Sequence, residues 1–497
     1  MQHKTGTGRN QIQFMSLDCR IAPDNPVRVI DAFVESMPLK KMGFKHTVIK
    51  SEGCPPYHPC SMLKLYLYGY NGGVRMRSSG RLEAECKRNV ELMWLIEEMS
   101  PSHATIATFR SNHSKELKKV FKQFGLFLKD MELIGGEIIG IDSTKIRGVN
   151  SKSNNHTQKD VEEYLDYLDS KAEEYLKELD NTDKQGESGN TVLSVRQEEV
   201  KSLLEKLKGK QETYNGYMSA MEQQQKTQIS TTDADTRLMQ GPDGGNIVGF
   251  NIQDATDAKH CMIVEFEVTN EGDRHALHAI ATSAKETLEA ENLMALADKG
   301  YHSGTEIAAC EKDNITTLVA PQQYITPKAV PDERYNIENF HYDKEHDCYS
   351  CPEGNKLVSN GATLKRTKKK GKEKIEVLYK DYKTTQCLTC PVKHLCTNAA
   401  KGRVISRFEY QDAINGNNKR VQQNKEVYAK RKCIVEHPFG TIKRAWGYTY
   451  TLLKGIKKVT GEVALMFTCY NMRRAMNIMG VVALVEALNN WKMTKTA

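Results

Sequence analysis

Three acidic residues stand far apart in the chain, each beside elements that could carry it to a common site. Asp142 follows Glu137-Ile-Ile-Gly-Ile141, and Asp298 follows Leu293-Met-Ala-Leu-Ala297. Glu436 lies inside Tyr428-Ala-Lys-Arg-Lys-Cys-Ile-Val-Glu-His-Pro-Phe-Gly-Thr-Ile-Lys443. A lone Asp after a strand is most often a turn or cap residue. Here both Asp residues leave apolar runs and meet short polar neighbours, Ser143-Thr-Lys145 and Lys299-Gly-Tyr-His-Ser303, which would hold each carboxylate at a wet edge. Three converging carboxylates can hold two divalent metals about 3.5–4 Å apart against a phosphodiester, one activating the attacking oxygen and one stabilising the leaving oxygen. Mg²⁺ or Mn²⁺ suits such a set, being a hard ion that prefers oxygen ligands. Lys432 stands about one helical turn before Glu436 and Lys443 about two turns after it, so a continuous helix would put all three on one face. Cations placed there can contact scissile and flanking phosphates. Pro438 marks a point where that helix kinks or restarts.

Periodicity shows which elements must carry these acids. Glu137 to Ile146 reads as a strand, and Asn246–Gln253 with Cys261–Val268 reads as a hairpin. Then come a helix over His275–Glu291, a strand over Leu293–Ala297, a helix over Gly304–Glu311 and a strand over Thr316–Ala320. Strand, strand, strand, helix, strand, helix, strand is the order of a ribonuclease H-like mixed α/β sheet, with acids on the first and fourth strands. Two insertions interrupt it. The first, 151–245, is acidic, and Val161, Leu165, Leu168, Ala172, Tyr175, Leu176 and Leu179 keep three-four spacing, so a helical hairpin is expected. The second, 322–425, is polar and rich in cysteine, with a basic run at Lys365–Lys374. The expected division is a helical domain over 1–130 and the mixed sheet with its insertions over 131–497.

Charge points to the partner. From Lys401 to Ala497 there are 18 Lys and Arg against 6 Asp and Glu, whereas residues 157–226 carry 10 against 16. A basic surface raises the local concentration of a polyanion, so nucleic acid is the natural partner of the carboxy-terminal part. Within residues 60–130, Ser100-Pro-Ser-His-Ala-Thr-Ile-Ala-Thr-Phe-Arg-Ser-Asn-His113 offers Ser, Thr, Arg, Asn and His where a helix begins, a composition suited to phosphate or base contacts. Trp446 and Tyr448 could stack on an unpaired base or fill a core. No apolar run approaches a membrane span, and no signal pattern opens the chain, so a cytoplasmic protein is expected.

Thirteen cysteines in such a chain argue against a disulfide framework. Five are grouped as Cys348-x₂-Cys351 and Cys387-x₂-Cys390-x₅-Cys396, and two such turns can supply four thiolates to a structural Zn²⁺. Unliganded thiols and an iron–sulfur cluster are the alternatives.

These motifs together resemble the DDE insertion-sequence transposases, especially the group with an Asp-Ser-Thr-like strand, an Ala-Asp-Lys-Gly-Tyr-like strand and a Tyr-Arg-Glu-Lys signature. The resemblance takes in Thr232-Asp-Ala-Asp-Thr-Arg-Leu-Met239, Gly249-Phe-Asn-Ile-Gln253 and the amino-terminal helices near 61–110. One departure is visible: four residues separate Arg431 from Glu436 where the wider signature has three, which makes Lys432 an alternative functional cation. The resemblance implies a ribonuclease H-like catalytic domain with Asp142, Asp298 and Glu436 as metal ligands, preceded by a helical DNA-binding domain. Tyr428, Arg431 or Lys432, Lys443 and, by stacking, Trp446 would contact DNA. Cys351, Cys387, Cys390 and Cys396 form the cysteine set that looks like the family's, leaving Cys348 spare. Terminal inverted repeats would be bound by a homodimer, cleaved, and their 3′-hydroxyls joined to target DNA. A catalytically inactive DNA-binding protein or repressor of the same fold, and a stand-alone metal-dependent nuclease, are the competing classes.

Overall fold

The computed structural model describes the chain except residues 1–2, 4–5, 7, 13, 49–50, 53–54, 186–190, 225, 242–243, 322–329, 371–372 and 492–497, and the side chains of 182–185, 191–194, 197, 366–370 and 373–377. Most of the basic run at 365–374 therefore lies outside the described side chains.

The amino-terminal part is helical: α1 (Val27–Glu35), α2 (Leu39–Met42), α3 (Pro59–Asn71), α4 (Ser79–Cys86), α5 (Val90–Leu95), α6 (His103–Asn112) and α7 (Ser114–Asp130). Polar side chains start four of them, His58 accepting the Cys60 N–H at the start of α3. Ser78, Asn89 and Ser102 each accept a backbone N–H from the first turn of α4, α5 and α6. The residues expected to offer phosphate contacts at α6 are partly consumed inside the fold. Arg110 is buried, donating to the Tyr70 hydroxyl at 2.9 Å, and His113 is buried between the Phe109 carbonyl and the Lys45 N–H.

After α7 comes β1 (Ile138–Arg147), then a small ladder of β2 (Asn155–Thr157) and β3 (Gln228–Ser230) that roots the helical hairpin of α8 (Gln158–Gln185) and α9 (Thr191–Gln223). Val161, Leu168 and Val200 are buried in that hairpin, as its heptad-like spacing requires. The chain continues through β4 (Arg237–Gln240), β5 (Asn246–Asp257), β6 (Ile263–Thr269), α10 (Leu277–Leu288), β7 (Leu293–Ala297), α11 (Gly304–Lys312) and β8 (Ile315–Val319). The sheet runs β4-β5-β1-β7-β8, with β6 also on β5; β1 is antiparallel to β5 and parallel to β7. Register positions the acids: Ile141 pairs with Ala297, so the next residues, Asp142 and Asp298, emerge side by side.

The polar second insertion folds as a sheet of its own, which hydropathy did not suggest. It comprises β9 (His341–Asp343), β10 (Cys348–Ser350), β11 (Lys356–Ser359), β12 (Leu364–Lys370), β13 (Glu373–Lys383), α12 (Lys393–Cys396) and β14 (Val404–Phe408). Phe340, Tyr349, Leu357, Tyr382 and Ile405 make its core. The insertion closes at β14, before the expected boundary at 425. The next helix, α13 (Gln411–Gln423), returns to the main sheet, where buried Asn417 bonds both the N–H and the carbonyl of Val319 at 2.9 and 2.8 Å.

Then follow α14 (Lys425–Phe439), α15 (Ile456–Met479) and α16 (Val481–Asn490). α15 is the central post of the molecule. It packs on α7 and α3, so closely at Gly461 that an added Cβ would lie 2.7 Å from Ser114 Cα. One apolar cluster runs from Ile21 and α1 through the sheet to Leu488 in α16, so no break in the core falls at residue 130. Arg77 and Glu462, both fully buried, pair at 3.0 Å across it, and the guanidinium lies over the Tyr448 and Tyr450 rings. Among the described residues no helix is long and apolar enough to cross a membrane.

Candidate active site

Asp142 sits mid-strand on β1, where the polar residues that follow it displace apolar ones. Its Oδ1 accepts the Ser143 N–H at 2.7 Å, and Arg431 Nη1 stands 3.7 Å from its Oδ2. Burial pushes this carboxyl up to about 6; Asp298 and Asp273 push the same way, against the Ser143 N–H and Arg431. Across the ladder lies Asp254, fully buried and held well above the carboxylate range by desolvation, with Thr256 donating to it at 2.7 Å.

Asp298 opens a 3₁₀ turn, and its Oδ1 accepts the Gly300 N–H at 2.7 Å. Gly300 fits because a Cβ there would come 2.9 Å from that same oxygen.

Asp273, absent from the sequence-based set, is a further acid at this edge. It accepts from Asn251 at 2.7 Å and Gln253 at 2.9 Å, and Lys145 pairs with it at 3.7 Å. Burial would raise its pKa, but bonds from Asn251, Ser143 and Gln253 outweigh that and hold it low. In sequence, Asn270-Glu-Gly-Asp273 looks like an ordinary turn before a helix; the only hint was an alternation of amides, Asn251 and Gln253, on an otherwise apolar strand.

The third acid rides on α14, which crosses β1 at a glycine. A Cβ on Gly140 would stand 2.6 Å from Val435 Cγ1 and 3.0 Å from Ile434 Cγ2, so only glycine allows this approach. The crossing brings Tyr428 to the end of β7, where its hydroxyl donates to the Ala297 carbonyl at 3.2 Å. Arg431 turns inward to Asp142, while Lys432 is 73% exposed and pairs with Glu436 at 4.0 Å. Arg431 thus faces Asp142, and Lys432 faces Glu436.

Glu436 itself is 64% exposed, and among the described residues no group of three or more His, Cys, Asp or Glu is gathered closely enough to hold an ion. The strands and α14 thus bring Asp142 and Asp298 together with Glu436 on the helix above, but the three carboxylates do not converge. Like charges repel, and Arg431 supplies the neutralising charge at Asp142. The donor chemistry still fits a hard divalent ion: oxygen ligands at a half-open edge, with crowded negative charge that such an ion would offset.

Past Pro438 the helix does not simply continue. A π-helical turn, Gly440–Ala445, resets its phase, and Lys443 Nζ donates to Thr144 Oγ1 at 3.0 Å and the Lys145 carbonyl at 3.2 Å. Lys443 therefore reaches the strand of Asp142, not the outward face shared by Lys432 and Glu436. Tyr448 is wholly buried with its hydroxyl on the Tyr70 carbonyl, and Trp446 packs edge-on against it, so core packing accounts for Tyr448 outright and for much of Trp446.

In the second sheet Cys351, Cys387, Cys390 and Cys396 line one half-open cavity of about 30 Å³, without being drawn together closely enough to form an ion-holding group. Burial raises Cys396, and the other three thiols raise it further, as neighbours must. Cys348 is elsewhere, buried on β10 opposite Val358 and Asp343.

Two family models match the chain. One, described as a transposase DDE domain, matches residues 350–476, taking in the four cysteines, α14 with Glu436, and α15. The other, described as a transposase domain (DUF772), matches residues 15–112, the helices α1 to α6. No curated protein and no solved structure matches the chain. These matches at its two ends support an insertion-sequence DDE transposase.

Proposed function

We propose that this DNA transposase binds the terminal inverted repeats of its element, cleaves the element ends by metal-dependent hydrolysis and joins the 3′-hydroxyls to target DNA. The observation that carries the reading is the crossing of α14 over β1 at Gly140, which sets Arg431 against Asp142 and Tyr428 against the end of β7. The strand order and directions, with β1 antiparallel to β5 and parallel to β7, support a ribonuclease H-like catalytic domain.

Asp142, Asp298 and Glu436 would hold Mg²⁺ or Mn²⁺, two per site, which when bound activate the attacking oxygen and stabilise the leaving one. The chain's own residues do the rest. Arg431 and Tyr428 fix the orientation of the strand ends and offer donors to a phosphate beside Asp142, Lys443 holds β1 where it leaves the site, and Lys432 contributes an exposed charge to the DNA backbone. Trp446, half-buried beside Lys443, adds its edge to the same face. Cys351, Cys387, Cys390 and Cys396 would hold a structural Zn²⁺ that staples the second sheet. The α1–α7 region supplies further DNA contact, and a homodimer holds two element ends in the cytoplasm.

The test is a Mg²⁺-dependent cleavage and strand-transfer assay on DNA carrying the flanking inverted repeats. Cleavage and joining should both fall by about three orders of magnitude in Asp142→Ala, Asp298→Ala and Glu436→Ala. Cleavage without joining would favour the nuclease, and binding without cutting the inactive DNA-binding protein.

A further inference from the structure

Glu436 rides on the turn of α14 that Pro438 interrupts. Pro438 has no N–H to give the Ile434 carbonyl, and its ring crowds that carbonyl. The Gly440 N–H is shared between the Glu436 and His437 carbonyls, and the π-helical turn begins at once. The helix's own hydrogen bonds therefore set the direction of this turn only loosely, and the exposed pair of Glu436 with Lys432 at 4.0 Å adds little.

The neighbouring side chain supplies an anchor. His437 Nδ1 lies 2.7 Å from the Tyr470 hydroxyl, which itself donates to the Cys261 carbonyl at 2.7 Å. A hydroxyl has one proton and a carbonyl none to give, so the hydroxyl accepts from His437 and Nδ1 is the protonated nitrogen. Tyr470 is a fixed point. It is buried on α15, whose Asn471 bonds both the N–H and the carbonyl of Ile263 at 2.9 and 2.8 Å and whose Arg474 donates to the His260 carbonyl at 2.8 Å. One chain of bonds thus runs from the turn between β5 and β6 through α15 to the residue beside Glu436. Ile434 and Val435 seat α14 on Gly140 by packing alone, and the His437 bond adds direction to that contact.

We propose that His437 is a positioning residue for cleavage, its hydrogen bond to Tyr470 fixing the turn that presents Glu436 to an ion at Asp142. The proposal rests on the DNA-cleavage reading above and adds to it the tether of its third acid.

Variants of the full chain test it on DNA carrying the flanking inverted repeats. His437→Phe keeps the ring edge against Tyr470, 5.9 Å between centroids, and removes the bond. His437→Asn puts an N–H donor back near the place of Nδ1, and Tyr470→Phe removes the acceptor. At saturating DNA, His437→Phe should cleave about tenfold more slowly, with DNA affinity and melting temperature as in the wild type. Mn²⁺, followed by electron paramagnetic resonance, should bind its DNA complex about tenfold more weakly. His437→Asn should recover most of both losses, and the double variant His437→Phe/Tyr470→Phe should be no slower than the slower single one. A His437→Phe that cuts and binds Mn²⁺ like the wild type, losses that Asn does not recover, or a matching fall in DNA affinity or stability overturns the proposal and leaves the cleavage reading intact. Should Tyr470→Phe melt early, the two His437 variants decide. A wild type that holds the repeats but neither binds Mn²⁺ nor cuts overturns the cleavage reading and the role of His437 together.

Discussion

Arg431 and Lys432 are neighbours with opposite fates, and the difference is one of helical phase. Arg431 points down to Asp142, whereas Lys432 points to solvent. Arg431→Ala should therefore lower the cleavage rate by about 10² with little change in DNA affinity, because a charge beside the reacting phosphate acts mainly in the transition state. Lys432→Ala should do the reverse, weakening binding and reducing its salt dependence while sparing the rate; a rate assay paired with a salt titration checks both. His113 makes a prediction of another kind. Burial holds its pKa below the ordinary 6.5, and the neutral ring bonds at both nitrogens. The unfolded chain takes up this proton first as pH falls, so the stability His113 contributes is full above 6.5 and is lost as pH drops through the folded value. Urea unfolding of wild type and His113→Phe should show a shallower acid-side loss in the variant.

At the scale of elements, strands with strong apolar alternation were legible, and so was their order, because burial on one or both faces writes itself into the sequence. Asp142 and Asp298 could be nominated because each follows an apolar run; their adjacency comes from the Ile141–Ala297 register, which no local pattern encodes. The second sheet was illegible for a physical reason. Its core is built on tyrosines, and Tyr342 and Tyr382 send their hydroxyls to Asp347, so polar residues pack inside it. Asp273 was missed because its partners come from β1 and β5, remote in sequence. Gly140 is the element-scale prediction. Gly140→Val would force α14 off β1, costing about 1–3 kcal/mol of stability and, with Glu436 displaced, most of the cleavage activity. Thermal melts and the cleavage assay should move together; an active variant with wild-type stability would show that the close approach does not matter.

At the scale of the whole molecule, the amino-terminal helices and the sheet are one core, stitched by Arg77 and Glu462. Breaking that pair leaves a buried charge, so Glu462→Gln should cost about 3–5 kcal/mol in chemical denaturation, with both ends of the chain unfolding in one transition. The cysteine sheet has its own small core and cavity, so the zinc proposed for it predicts that a chelator loosens that sheet, seen as new proteolytic cuts within 330–408, before the main core melts. The central claim, that Asp142, Asp298 and Glu436 serve one site for both cutting and joining, is tested most directly with a pre-cleaved element end ending in a 3′-hydroxyl. In the presence of Mg²⁺ the wild type should join it to target DNA, and joining should vanish in Glu436→Ala and with a 3′-deoxy end. Joining that persists in Glu436→Ala, or a wild type that cuts but never joins, would contradict the account.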